Sequence, residues 1–160
     1  MNAEMSTTRP SWDDDLLALY RQRYEPMVRL AYLLTGNRSV AEELVQDAFV
    51  SVHRNWQRAT FPSAYLRTAV VNNAHSWLRR RVLEEHHAAA RPSLVEGGFP
   101  ADEMWDVLEH LPERQRTAIV LRFYEDLPDA DIALILGCRV PTVRTAIHRG
   151  LAALHKEIER

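Results

Sequence analysis

The chain has 160 residues, 46% hydrophobic and 26% charged, with a formal net charge of −2, an ordinary globular composition with room for one domain or two small ones. A single cysteine, Cys138, excludes an internal disulfide and a multi-cysteine zinc site and favours a reducing compartment. No stretch approaches the roughly 20 apolar residues of a membrane span, and the opening "MNAEMSTTRPSW" has no apolar segment resembling a signal peptide, so a cytoplasmic protein without membrane insertion is expected.

Strand signals are nearly absent, and apolar residues recur at helical spacing, which predicts an all-α fold. Residues 1–11 read as a loose tail. Leu16, Leu17, Tyr20 and Tyr24 then form one predicted helical stripe. Pro26 disfavours helix at Glu25 and is expected to kink or split this segment. The pattern resumes with Met27, Leu30, Ala31 and Leu34 and stops at Gly36-Asn37, a C-terminal cap signal. Ser39 and Glu42 fit a capping box that opens the next helix. Its apolar face is Ala41, Leu44, Val45, Ala48, Phe49, Val52 and Trp56. "QRATFPS" reads as a loop, with Pro62 in the first turn of a third helix.

That helix carries "VVNNAHSWLRRR". At 100° per residue, Leu66, Val70, Asn73 and Trp77 share one stripe, and Thr68, Asn72, His75, Ser76 and Arg79 lie opposite. The two adjacent asparagines therefore point different ways. Asn73 interrupts an apolar face and is expected to be a hydrogen-bonded core amide; Asn72 belongs to a polar, cationic face. From Ala48 to Leu83 there is no Asp or Glu, but six arginines stand there, while 84–131 is acidic. Such asymmetry suits an anionic partner that touches only part of the surface.

"EEHHAAARPSLVEGGFPA" breaks the periodicity at Pro92, Gly97, Gly98 and Pro100 and reads as a flexible linker over 84–101. It divides two helical domains, 12–83 and 102–160. The second is expected to hold helices over 103–111, from Pro112 to about Tyr124, over 129–136 and from Pro141 to Glu157.

"DADIALILGCRVPTVRTAIHRG" has helix-turn-helix spacing. Ala133 permits close approach, Gly137 supplies a turn where positive φ is cheap, and Val143 packs the second helix back. Ile132, Leu136 and Ile147 complete the seam. Arg139, Thr142, Arg144, Thr145, His148 and Arg149 remain on the open side, and their donors suit phosphates and base edges.

"LPERQRTAIVLRFYEDLPDADIALILGCRVPTVRTAIHRGLAAL" resembles region four of the sigma-70 family of RNA polymerase sigma factors. "LYRQRYEPMVRLAYLLTGNRSVAEELVQDAFVSVHRNW" and "PSAYLRTAVVNNAHSWLRRR" resemble region two of the small extracytoplasmic-function group (group 4). "AYLRTAVVN" with "WLRRR" resembles its actinobacterial, sigma-E-like branch.

The resemblance implies an alternative sigma factor, not an enzyme, that binds core RNA polymerase and starts transcription at chosen promoters. It assigns polymerase binding to the second helix, where Glu42, Glu43, Gln46, Asp47, Val50 and Arg54 flank the open side. It implies that Thr68, Asn72, His75 and Arg79 meet the unpaired strand of the minus-ten element. Trp56, Phe61 and Tyr65 would then wall in a base, and Arg79, Arg80 and Arg81 would hold phosphates. Region four would read the minus-thirty-five element through Arg139, Pro141, Thr142, Arg144, Thr145, His148 and Arg149. Partners are core polymerase, promoter DNA and, as often in the family, an anti-sigma factor; no cofactor or metal is expected. The family often has Arg at Val71, Gly at Pro141, Ala at Gly150 and Ser at Arg139. Gly150 is expected to let the C-terminal half of the last helix fray. The competing reading is a stand-alone helix-turn-helix regulator of duplex DNA, which would leave the first domain unexplained.

Overall fold

The computed structural model describes residues 12–87 and 103–160, all helices and short connections. The tail 1–11 and most of the expected linker (88–101) lie outside the described residues.

The first unit is three helices: α1 Trp12–Thr35, α2 Arg38–Arg54 and α3 Pro62–His87. They pack pairwise around Met27, Leu30 and Leu34 of α1, Val45 and Val52 of α2, and Leu66, Val70 and Val71 of α3, all fully buried. Pro26 does not split α1. An interior proline costs about 3 kcal/mol, whereas burying each of Met27, Val28, Leu30 and Leu34 returns roughly 1.5–3 kcal/mol. Packing therefore wins over the local preference. The N-terminal half of α1 departs from the expected stripe: Leu16, Leu19 and Tyr24 sit against the core, while Leu17 and Tyr20 are exposed.

α2 is capped differently from the expected Ser39–Glu42 box. Asn37, in extended conformation, accepts the Val40 N–H through its side-chain oxygen at 3.0 Å. Glu42 pairs with Arg38 at 3.1 Å instead. Gly36 ends α1 at φ +72°, as its position suggests. α3 continues four residues past the expected domain end at 83, because nothing before Pro92 stops a helix.

The second unit contains α4 Glu103–Leu108, α5 Glu113–Ile119 running on through a π-type turn at Val120–Tyr124, α6 Asp129–Leu136 and α7 Val140–Ile158. α4 ends three residues earlier than expected, although Leu111 beyond it is still buried. α5 and α6 both pack on α7, around Leu121, Ile132 and Val143. α7 does not end early at Gly150. Gly150 is buried, and a Cβ there would lie 2.4 Å from Cδ1 of Ile119. Its use is close approach of α7 to α5, so the packing offsets its helix penalty.

The units touch. Their buried side chains form one contiguous cluster, and α1 contacts α4, α5 and the π-type turn.

Candidate functional site

α3 separates its two asparagines as the periodicity requires. Asn73 donates from Nδ2 to the Leu44 carbonyl at 3.1 Å, tying α3 to α2. Asn72 is exposed, between buried Val71 and half-buried Asn73. On its face Thr68 is half-buried, and Arg79 and Arg80 are exposed. Arg79 reaches Ser76 Oγ at 3.4 Å, leaving most of its donors for an external acceptor. Arg81 lies over the Trp77 ring at 5.2 Å and bridges Glu85, so it is more committed to its own helix.

The three aromatics before this helix are not equivalent. Phe61 is 73% exposed, an unusual position for a large apolar ring, at the mouth of the loop that starts α3. Tyr65 is half-buried, its hydroxyl 3.1 Å from Ser51 Oγ. Trp56 is half-buried against the core. Phe61 is thus the most exposed of the three rings.

His75 is drawn toward the second unit. Its Nε2 lies 3.1 Å from Thr117 Oγ1 and 3.6 Å from a Glu113 carboxylate oxygen. The Thr117 hydroxyl spends its proton on the Glu113 carbonyl at 2.8 Å, so His75 is the donor to Thr117. Burial pushes the His75 pKa below 6.5; Glu113 raises it, and Arg79 and Arg116 lower it further.

On α2, Glu43, Gln46, Asp47, Val50 and Arg54 are exposed, and Glu42 is half-exposed beside Arg38. Steps of three and four residues place them along one outward strip opposite the buried Ala41–Val52 face. An exposed valine ringed by charges suits a protein partner.

In the second unit Gly137 closes α6 at φ +62°, and the Cys138 N–H reaches the Ala133 carbonyl at 3.1 Å, a Schellman-type closure. Space around Gly137 is open, so only its backbone conformation demands glycine. Val143 and Ala146 are buried, which leaves Arg139, Pro141, Arg144, Thr145, His148 and Arg149 exposed and Thr142 half-exposed. Thr145 Oγ1 donates to the Pro141 carbonyl at 3.0 Å, leaving its oxygen as an acceptor only.

Three residues escaped the sequence reading. Arg114 and Gln115, with Pro112, line a groove of about 370 Å³ together with Pro141, Thr142, Thr145, Ala146 and Arg149. Asp129 grips the Nε edge of Arg144 at 3.3 Å and is itself held by Arg122 at 2.9 Å. Only the packing of α5 and α6 on α7 brings these residues to the open face, and no local pattern announces it. Among the described residues no group of three or more His, Cys, Asp or Glu could hold a metal. The His86-His87 pair ends α3 with side chains outside the described residues.

Comparison with known proteins follows this two-unit division. The family described as Sigma-70 region 2 matches residues 19–83, and Sigma-70, region 4 matches 101–154. An RNA polymerase sigma-E factor of Streptomyces avermitilis is 31% identical over 87% of this chain and 82% of its own length. An ECF RNA polymerase sigma factor, SigE, of Mycolicibacterium smegmatis is 34% identical over 88% of this chain and 59% of its own length. The sigma factor RpoE of Bartonella quintana, solved in complex with the anti-sigma factor NepR, superposes with a TM-score of 0.75 at 22% identity, covering 91% of this chain and 97% of that one.

Proposed function

This chain belongs to the sigma-70 family of RNA polymerase sigma factors, in its extracytoplasmic-function group, and we propose that it docks on core polymerase through α2 and reads a promoter with α3 and α7. Its function is that of an alternative sigma factor in transcription initiation. The working division is 12–83 for polymerase binding and the minus-ten element, 84–101 as linker, and 102–160 for the minus-thirty-five element.

The observation that supports this reading most is the exposed Asn72 on an otherwise cationic helix face. Its amide offers a donor and an acceptor together, so it can pair with the Watson–Crick edge of a base that has left the stack. Phe61 stacks on the base, and Thr68 lines its approach. Arg79 and Arg80 hold the flanking phosphates. In duplex DNA upstream, α7 enters the major groove, where Thr142, Arg144 and Thr145 face base edges. His148 faces base edges with them, and Arg139, Arg149 and Arg114 grip the backbone. The strip Glu43–Arg54 meets polymerase. By analogy with the Bartonella relative, which was solved with an anti-sigma factor bound, an anti-sigma factor is a further proposed partner for this chain. No described helix is long and apolar enough to cross a membrane, and the role places the protein in the cytoplasm, acting by binding without turnover of its own.

Run-off transcription with core polymerase and a promoter library tests the assignment. Asn72→Ala relaxes preference at one minus-ten position. Equal loss on every template would make Asn72 structural. Failure of the wild-type chain to co-elute with core polymerase would favour a stand-alone regulator instead.

A further inference from the structure

Ser51 lies on α2 between Val50 of the outward strip and fully buried Val52. Both ends of the 55–61 loop between α2 and α3 meet on it. At the entry, its carbonyl accepts the Asn55 N–H at 3.1 Å and the Asn55 side-chain amide at 2.9 Å. The Asn55 carbonyl in turn accepts the N–H groups of Arg58 at 2.9 Å and Ala59 at 3.0 Å, which sets the course of the loop. At the exit, the Ser51 hydroxyl meets the Tyr65 hydroxyl at 3.1 Å, and the Tyr65 N–H donates to the Phe61 carbonyl at 3.0 Å. The carbonyl half of this arrangement is backbone and any residue would supply it. The hydroxyl half is what serine adds. The Tyr65 ring packs against the core, so the bond to Ser51 fixes a side chain that is already seated. Phe61 stands at the end of this chain of bonds with its ring 73% exposed.

We propose that Ser51 is a positioning residue for the minus-ten element: its hydroxyl, through Tyr65, latches the exit of the loop to α2 and so holds Phe61 in place for an unpaired base. The proposal rests on the sigma-factor reading above. Phe61 supplies the carbonyl for the Tyr65 N–H and so occupies the place just before α3. Rotation of 100° per residue puts that place within roughly 20° of both Thr68 and Asn72, on their side of the helix. A stacking ring meets any base by its face, so what it contributes depends on where it is held. A loop left free would be ordered only on meeting DNA, and the entropy lost at that moment would weaken binding. A hydrogen bond to a packed helix orders it beforehand. Tyr65 thereby acts on the base through Phe61, with its own hydroxyl turned to Ser51.

The test uses the full chain with core polymerase and compares Ser51→Ala, Tyr65→Phe, their double variant and Ser51→Thr, which keeps the hydroxyl. Alanine is the better helix former, so a loss in Ser51→Ala does not come from a weakened α2. Across single-base variants of the minus-ten element, Ser51→Ala and Tyr65→Phe are each expected to reduce preference by about 2- to 10-fold, the worth of one hydrogen bond. The loss falls at the position that Phe61→Ala also affects. The double variant loses no more than either single, because both remove the same bond. Ser51→Thr keeps the wild-type profile, and core affinity stays unchanged throughout. An unchanged profile in both single variants overturns the proposal. So does equal loss at every position, which would make the pair structural only, and so do losses that multiply in the double variant. Hydrogen exchange on the free chain reads the latch directly: in Ser51→Ala the Tyr65 amide exchanges faster, while the amide of buried Val71 on the same helix does not change. Wild-type chain that starts no transcription with core polymerase fails the sigma-factor reading, and unchanged exchange at Tyr65 separately overturns the latch.

Discussion

The face of α3 and the face of α7 are built in opposite ways. On α3 the candidate groups come from one helix and its preceding loop: Phe61, Thr68, Asn72, Arg79 and Arg80. On α7 the open face is composite, with Arg114 and Gln115 supplied by α5 and Asp129 by α6. A surface made by one helix is written in its periodicity. A surface made by three depends on packing, and its members can be substituted one helix at a time.

The largest effect that sharpens this contrast is expected at Arg144. It is 70% exposed, yet Asp129 fixes its Nε edge, which leaves the two terminal nitrogens for a paired acceptor such as guanine O6 and N7. Arg144→Ala should cost about 1–3 kcal/mol at one minus-thirty-five position, measured by binding competition across single-base variants of the site. Asp129→Asn should lose less, and at that same position, because the guanidinium regains rotamers it had surrendered. Loss of preference at a different position would show that Asp129 acts on something other than Arg144.

A somewhat smaller effect is expected at Asn73, whose amide joins α3 to the Leu44 carbonyl. Asn73→Ala removes one hydrogen bond worth roughly 0.5–1.5 kcal/mol. It should lower the melting temperature by a few degrees while leaving the promoter profile intact. Asn72→Ala should do the reverse. If both variants shifted the promoter profile alike, the separation of faces on α3 would collapse.

The fold was legible wherever one segment supplied its own pattern. The α2 apolar stripe from Ala41 to Val52, without the expected Trp56 beyond the helix end, the Gly137 turn and the opposite facing of Asn72 and Asn73 all follow from 3.6-residue periodicity and from glycine's tolerance of positive φ. The sequence misled where two local signals competed. Asn37 and Ser39 are both good cap residues, and the extended backbone at Asn37 decided between them. Pro26 is a breaker overruled by the buried residues that follow it. Gly150 looked like a weak point and is a contact point with Ile119. Nothing in the chain announced that Glu125 would meet Arg23 and Arg67, 102 and 58 residues away. Such pairings belong to the packing of one unit on the other and have no local signature.

The subtlest expected effect is the pH dependence of that packing at His75. Burial is the main cause that lowers its pKa below 6.5, and Arg79 of α3 and Arg116 of α5 act in the same direction against the opposing pull of Glu113. The folded state therefore binds this proton less readily than the unfolded chain does. Its contribution to stability is complete above about pH 6.5 and is lost as pH falls through that value toward the lower folded one. Thermal melts at pH 7.5 and 5.5 should show a larger acid loss for the wild type than for His75→Gln, a comparison in which the other histidines cancel. The reverse order would mean that Glu113, at 3.6 Å, outweighs burial and holds the imidazolium in place. Acidification would then tighten the contact between the units.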